Sequence, residues 1–106
     1  MHPSKLGPLR NGLLEFLVLD IVSTGDVYAA DILERLAPTD FATREGTLYP
    51  LLSRMRREGQ LDYDWRESAA GPPRKYYRLT ATGRDDLAEF RAYWASLTSL
   101  IEGLGR

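Results

Sequence analysis

The spacing of apolar residues changes once along this chain, at Gly59, and that change limits the fold more than any other feature. Before Gly59, apolar residues recur at intervals of three and four, which is typical of α-helices. From Leu61 to Arg66 they alternate with charged residues, which is typical of a half-buried strand. We therefore predict a helical part, then a β-hairpin, and then one more helix.

Three helices are predicted in the first part. The first covers Leu9–Val22 and is so rich in Leu, Val, Ile and Phe that we expect it to be buried on nearly every side. The second covers Tyr28–Leu36, where apolar residues again lie three and four apart. The third begins at a cap on Thr43, runs to about Glu58 and ends before Gly59.

The hairpin is predicted from composition as well as from alternation. Leu61, Tyr63 and Trp65 share one face of the first strand, and we expect that face to be the buried one. Residues 68–73 contain a glycine and two prolines and are predicted to form the connecting loop. The returning strand is predicted over residues 74–79, so that basic residues lie at the shoulder of a proline-stiffened tip.

A long helix is predicted after the hairpin, with Thr80 or Thr82 as its cap. Its apolar residues are spaced three, four, three, four and three apart, which is a heptad seam. The seam residues are Leu87, Phe90, Trp94, Leu97, Ile101 and Leu104. The seam can pack along its own domain, but we favour pairing with a second copy of the chain, since the helix would project past a small core. Residues 6–79 are thus predicted as one domain and residues 80–104 as a dimerisation helix.

Composition excludes most enzyme chemistry. The chain has 106 residues, no cysteine and one histidine, His2, near its N terminus. Disulfides, thiolate catalysis and cysteine zinc sites are thereby excluded, and the serines have no internal histidine to act as their base. No glycine-rich phosphate loop is present either. We expect a single-core protein with no catalytic residue, no metal and no cofactor.

The sequence contains neither an apolar run long enough to span a membrane nor a large net charge. No apolar run approaches the roughly 18 residues of a membrane span, and the N terminus lacks the apolar stretch of a signal peptide. We therefore expect a cytoplasmic protein without a membrane partner. The net charge is −1, from 14 basic and 15 acidic residues, so any binding to nucleic acid must depend on where the cations are placed.

The third predicted helix places polar and basic residues opposite its apolar stripe. Arg44, Thr47, Arg54 and Arg57 lie on this outer face. Pro50, inside the helix, favours a local bend. A kinked core helix and a helix shaped to present its first turns outward account for these residues equally well.

Three sequence strings resemble the PadR family of bacterial transcriptional regulators. Residues 9–15 (LRNGLLE) resemble the family's first helix, residues 46–52 (GTLYPLL) its recognition helix, and residues 71–80 (GPPRKYYRLT) its wing and return strand. Gly83 follows at the expected offset, whereas residues 29–30 replace the glycine that commonly opens the second helix. The resemblance implies a mainly α fold with a small β-hairpin, namely a winged helix-turn-helix domain followed by one C-terminal dimerisation helix. It also implies a homodimeric repressor that binds a pseudo-palindromic operator in double-stranded DNA.

Eight residues are predicted to contact the DNA. Side chains near the start of a helix in the major groove reach base edges, and flanking basic groups hold phosphates. The predicted base contacts are Arg44, Thr47 and Tyr49, the backbone contacts are Thr43, Arg54 and, more weakly, Arg57, and the wing contacts are Arg74 and Lys75.

Each of these residues also has a structural interpretation. The helix arginines can form a solvated face balanced by Glu58, and Tyr49 can pack under the hairpin. The two wing cations can pair with Asp62 or Asp64 across the hairpin. The alternative function is a winged-helix module in which Arg44, Arg54 and the wing face an acidic protein partner and which has no specific DNA site.

The seam also contains a candidate ligand site. Members of the resembled family respond to small planar or phenolic compounds, and their dimer helices border an apolar cavity. The resemblance therefore implies that Phe90, Trp94 and Leu97 bind a small aromatic effector that relieves operator binding. The alternative is that Trp94 only packs in the seam, as most tryptophans pack in cores.

Overall fold

A computed structural model describes residues 5–106, so that residues 1–4, His2 among them, lie outside the described part. The elements follow in the predicted order of three helices, a hairpin and a helix, which confirms the fold class. They are α1 (Gly7–Val22), α2 (Ala29–Leu36), α3 (Glu45–Arg57), β1 (Leu61–Ser68), β2 (Gly71–Leu79) and α4 (Ala81–Leu104). No helix among residues 5–106 combines the length and the apolar character needed to cross a membrane.

The core lies where the first three helices meet the inner face of the hairpin. Its fully buried side chains include Leu19 of α1, Ile32 of α2 and Leu48 of α3. Strand β2 adds Tyr77, and Leu87 is the buried apolar contribution of α4. Because Leu48 is completely buried, the first turns of α3 must present their other side chains outward.

Helix α1 is less buried than we expected. Only Val18, Leu19 and Val22 are buried in it, whereas Leu9 is 53% exposed. The expectation of burial on nearly every side is wrong for the single chain, because α4 covers α1 along one line, where the Phe16 and Phe90 rings stack at 4.2 Å. An open apolar side therefore remains on α1.

Helix α3 begins later than predicted. Its N-cap is Arg44, whose backbone is extended at φ −121° and ψ 166°, and no side chain caps the helix. The prediction of Thr43 as the cap is wrong, because the helical backbone starts only after this extended residue. The end is as predicted, since Gly59 has φ +82°, a left-handed conformation that favours glycine.

The hairpin has a tighter connection than the predicted loop of residues 68–73. Strands β1 and β2 are antiparallel, and only Ala69 and Ala70 lie between them. The register shifts between Arg66 and Ser68, and residues 72–73 have no paired partner across the ladder. Proline lacks an N–H to donate and is tolerated at such an irregularity, so the prolines lie within β2 and not in a loop.

The start of α4 is hydrogen-bonded to the segment that follows α3. Of the two predicted caps, Thr80 is the one observed, and its hydroxyl accepts a hydrogen bond from the Gly83 N–H at 3.0 Å. The Thr80 N–H donates to the Gln60 carbonyl at 3.1 Å. A Cβ on Gly83 would lie 2.1 Å from that carbonyl oxygen, so this close approach requires glycine.

Candidate nucleic-acid interface

The first turns of α3 present their predicted contact residues to solvent. Arg44 and Thr47 are exposed, Tyr49 is 47% exposed, and Thr43, just before the helix, is half-buried. Buried Leu48 lies between Thr47 and Tyr49, so the two side chains leave the helix on either side of the core contact. These residues are therefore accessible to a partner.

Six of the twelve arginines in the described part have a carboxylate oxygen within 4 Å. Those in ion pairs are Arg10, Arg54, Arg56, Arg66, Arg78 and Arg91. Within residues 5–106, no such pair forms at Arg44, Arg57, Arg74 or Lys75. Four of the five cations predicted to bind DNA thus keep their charge available.

Arg54 is the exception among the predicted contacts. Its guanidinium donates to Glu15 Oε1 of α1 at 2.8 Å. The neighbouring Arg56 lies over the Tyr63 ring at 4.5 Å, and neither forms a described pair with Glu58. The structure therefore places Arg54 against α1, whereas Arg57 has no described carboxylate partner.

The wing cations lie on aromatic rings. Asp62 and Asp64, the alternative partners considered for them, lie within 4 Å of other arginines. The Arg74 guanidinium lies over the Tyr28 ring at 4.7 Å, and the Lys75 ammonium lies 4.5 Å from the centre of the Tyr63 ring. Such cation–π contacts position a charge without cancelling it.

A groove of about 420 Å³ joins α3 to the wing. Tyr49 of α3 lines it together with Lys75 and Arg74 of β2, and buried Tyr77 forms part of its wall. Burial raises the pKa of Tyr77, because the phenolate would lose its hydration there. Tyr49 lines the groove beside the hairpin and is also 47% exposed. It therefore has features of both interpretations, packing under the hairpin and contact with a partner.

Trp65, which also lines this groove, is more exposed than the sequence predicted. It shares a face with Leu61 and Tyr63 as predicted, yet it is 60% exposed. The face is buried only near the base of the hairpin, where the helices cover it. The available signal was the position of Trp65 only three residues before the predicted loop, far along the strand from the core.

A second cavity, of about 670 Å³, lies between α1 and α4. The three residues predicted to bind a ligand, Phe90, Trp94 and Leu97, all line it. Phe16 stacks on Phe90, and the Phe90 and Trp94 ring centres are 5.9 Å apart. Aromatic side chains thus form part of the lining, and Glu15, Gln60 and Asp86, which are hydrogen-bonded together, form its polar end.

That polar end is organised by Gln60, which the sequence analysis did not single out. The Gln60 amide N–H groups donate to Glu15 Oε2 at 3.2 Å and to Asp86 Oδ2 at 2.9 Å. The side chain is buried, and its Oε1 has no hydrogen-bond partner among the described residues. Since Glu15 also accepts from Arg54, one hydrogen-bonded chain connects α3, α1 and α4.

The outer half of the α4 seam has no partner within the described chain. Leu87 is buried and Phe90 and Leu97 are half-buried, but Ile101 is 63% and Leu104 76% exposed. The alternative, packing of the seam along the chain's own domain, therefore applies only to the first part of the seam. The second part leaves contiguous apolar surface open.

Comparison with known proteins identifies the family. Residues 18–89 match the sequence profile of the transcriptional regulator PadR-like family. A PadR-like transcription factor from Bacteroides fragilis is 38% identical, with 95% of this chain and 98% of that chain covered and a TM-score of 0.82. A PadR-like transcriptional regulator from Bacillus cereus is 33% identical, with 92% and 96% covered and a TM-score of 0.82. For a PadR family transcriptional regulator from Eggerthella lenta the values are 34%, 95%, 88% and 0.81.

The match covers more than half of the chain and includes two of the three sequence strings on which the resemblance was based. The solved relatives share the arrangement of helices and wing over nearly their whole length. The chain therefore belongs to the PadR-like family of winged-helix transcriptional regulators, which are DNA-binding proteins and not enzymes.

Proposed function

We propose that this protein is a homodimeric repressor that inserts α3 into the major groove of a pseudo-palindromic operator. The observation that carries the proposal is the groove that joins exposed Tyr49 of α3 to Arg74 and Lys75 of the wing. Neither wing cation has a described carboxylate partner, so phosphates can take that place. A convex helix and a flanking basic hairpin match the docking geometry of DNA-binding helices.

The predicted contacts divide by position. Arg44, Thr47 and Tyr49 are assigned to base edges because they lie in the first turns of α3 or at its cap. Thr43 and Arg57 are assigned to the DNA backbone, and Arg74 and Lys75 to the flank of the site. Arg54 is a backbone contact only if it leaves Glu15, since the two side chains are hydrogen-bonded here.

Dimerisation is proposed to use α4. Residues 80–104 carry the exposed part of the seam, while residues 6–79 form the DNA-binding domain. The open apolar side of α1 adds to the surface that a second subunit would cover. Two α3 helices related by a two-fold axis would then read two half-sites about one helical turn apart, roughly 34 Å.

A small planar or phenolic ligand is proposed to relieve operator binding by occupying the cavity between α1 and α4. Such a ligand acts only if it binds the DNA-competent and incompetent dimers with different affinity. The chain from Asp86 through Gln60 and Glu15 to Arg54 supports this, because it connects the cavity to α3. A ligand hydroxyl that donates to Glu15 would compete with Arg54 for the same carboxylate.

Two alanine variants test the DNA contacts against each other. Arg44→Ala should relax preference at one base pair in each half-site and weaken operator binding by about tenfold. Lys75→Ala should weaken operator and unrelated duplex alike and make the dependence on salt less steep. Arg91→Ala serves as the control, since Arg91 is paired with Asp20.

The outcomes separate DNA binding from protein binding. Affinity that falls steeply with salt and is higher for one sequence supports the proposal. Equally weak binding to every duplex, with no effect of Arg44→Ala, would instead favour the protein-binding module.

A further inference from the structure

We propose that the groove between α3 and the wing seats one sugar–phosphate strand of duplex DNA, and that Trp65 is a direct contact to its deoxyriboses. This inference rests on the proposed DNA binding and adds a residue and a surface to it. Trp65 is neither at the start of α3 nor a cation, so no part of the assignment above includes it.

The exposure of Trp65 is the first observation. Its indole is 60% exposed although it extends from the face of the hairpin that buries Leu61. The Tyr63 ring meets it edge-on with ring centres 6.2 Å apart, which fixes one edge and leaves the rest accessible. Because this exposed indole also lines the groove, its apolar surface is available to a partner that enters the groove.

The charge of the groove is the second observation. Its lining residues are Tyr28, Ala29, Ala30, Tyr49, Trp65, Pro73, Arg74, Lys75 and Tyr77, none of which is acidic. The two cations lie beside aromatic rings, so the surface combines positive charge with apolar area. A sugar–phosphate strand offers the matching combination, because its phosphates are anionic and its deoxyriboses present C–H groups.

The position of the groove is the third observation. One strand of a duplex must pass between a helix in the major groove and a wing on the flank. The groove occupies that interval, with Tyr49 on the α3 side and Trp65 on the wing side. The Lys75 ammonium lies 5.4 Å from the centre of the Trp65 ring, close enough to hold a phosphate next to the sugar that covers the indole. Contacts of this kind fix register and carry no sequence preference.

The two tryptophans of the chain, Trp65 and Trp94, allow a direct test. In the full-length Trp94→Phe protein, Trp65 is the only tryptophan, and we expect its emission to change on titration with duplex DNA. The change should saturate at the concentration at which labelled duplex is bound, as measured by its anisotropy. In the full-length Trp65→Phe protein, the same titration should leave most of the emission unchanged.

Affinity measurements complete the test. Trp65→Ala should weaken binding to a preferred duplex and to a scrambled duplex by the same factor, about fivefold. Trp65→Phe, which keeps a ring, should lose less, and circular dichroism establishes that the variants are folded. If Trp65→Ala does not fold, the Trp65→Phe affinity and the Trp65 emission decide the question.

The results distinguish a failure of the proposed function from a failure of this inference. If the unsubstituted protein binds no duplex, the proposed function itself is wrong. If it binds duplex while Trp65 emission and Trp65→Ala affinity are unchanged, only the seating of the strand is wrong. A loss confined to the preferred duplex would identify a base contact and would also overturn this inference.

Discussion

The groove and the cavity are both lined by aromatic side chains, yet they differ in charge. Among the residues that the structure describes, the groove between α3 and the wing is lined by Arg74 and Lys75 and by no acidic residue. Of the described residues that line the cavity between α1 and α4, Glu15, Asp86 and Glu89 are acidic and none is basic. A polyanion therefore suits the first and is repelled by the second, although the net charge of the whole chain is only −1.

This difference shows why total charge is a poor guide to the partners of a small protein. Basic and acidic residues nearly balance, but ion pairing removes different charges from different places. Arg54 is neutralised by Glu15 beside the cavity, while Arg57, three residues later, has no described partner. The available charge of a surface, and not its composition, decides what it binds.

The largest effect is expected from separating the two subunits of the proposed dimer, because each monomer would then contact only one of the two half-sites. Ile101→Glu places a charge in the exposed seam of α4, and operator affinity should fall by about a hundredfold, because a monomer binds one half-site. Sedimentation should show the monomer directly. Ser99→Glu, on the opposite side of the same helix, is the matched control and should remain dimeric. Unchanged sedimentation of Ile101→Glu would contradict the proposed interface.

The next largest effect concerns the close contact between Gly83 of α4 and the carbonyl of Gln60, which lies between α3 and β1. Gly83→Ala should lower the free energy of unfolding by about 3 kcal/mol, because its Cβ meets the Gln60 carbonyl oxygen. Gly103→Ala is the control in the same helix, has open space around it and should be neutral or stabilising by at most about 1 kcal/mol. Urea unfolding of both variants measures the difference, and equal stabilities would rule out the close approach.

The acidic end of the cavity should discriminate between two flat ligands of similar shape. We expect 2-naphthol, which donates a hydrogen bond, to bind about tenfold more tightly than 2-naphthoate, whose carboxylate is repelled. Trp94 emission in the Trp65→Phe protein reports binding, and Trp94→Ala is the control for signal. Equal affinities would mean that Glu15, Asp86 and Glu89 do not face the ligand. No binding of either compound would argue against an effector site.

The smallest effect compares two arginines of α3, Arg54 and Arg57, of which only Arg54 has a described carboxylate partner. Arg57→Gln should reduce the salt dependence of DNA binding by about 0.9 in slope, the amount for one phosphate. Arg54→Gln should change it less, because Glu15 already partners that guanidinium, with the pair contributing under about 1 kcal/mol to stability. Equal effects of the two substitutions would show that Arg54 leaves Glu15 when DNA binds.

The order of the elements was predictable, because it follows from the period of apolar residues and from the strings shared with the family. The details that failed depend on surroundings. Thr43 is a good cap by residue type, but the extended backbone of Arg44 moves the helix start past it. The two prolines indicated a loop, yet a register shift accommodates them within β2.

The candidate sites were predictable only in part. Periodicity assigned Thr47 to the outer face of α3, where it is exposed, and Trp94 to the seam, which lines the cavity, whereas the position of Tyr49 was left open. It gave no indication that Gln60 would bridge two carboxylates, since that contact joins the junction between α3 and β1 to residues of two other helices, α1 and α4. Nor can alternation tell where a strand face leaves its covering helices, which is why Trp65 was assigned to the interior.

Selection of bound duplexes from a random pool tests the central claim most directly. With α3 in the major groove and two subunits related by a two-fold axis, the enriched sequences should contain two inverted half-sites centred about 10 base pairs apart. Arg44→Ala should then lose preference at one base pair in each half. Enrichment of an asymmetric site, or of no sequence at all, would contradict the account.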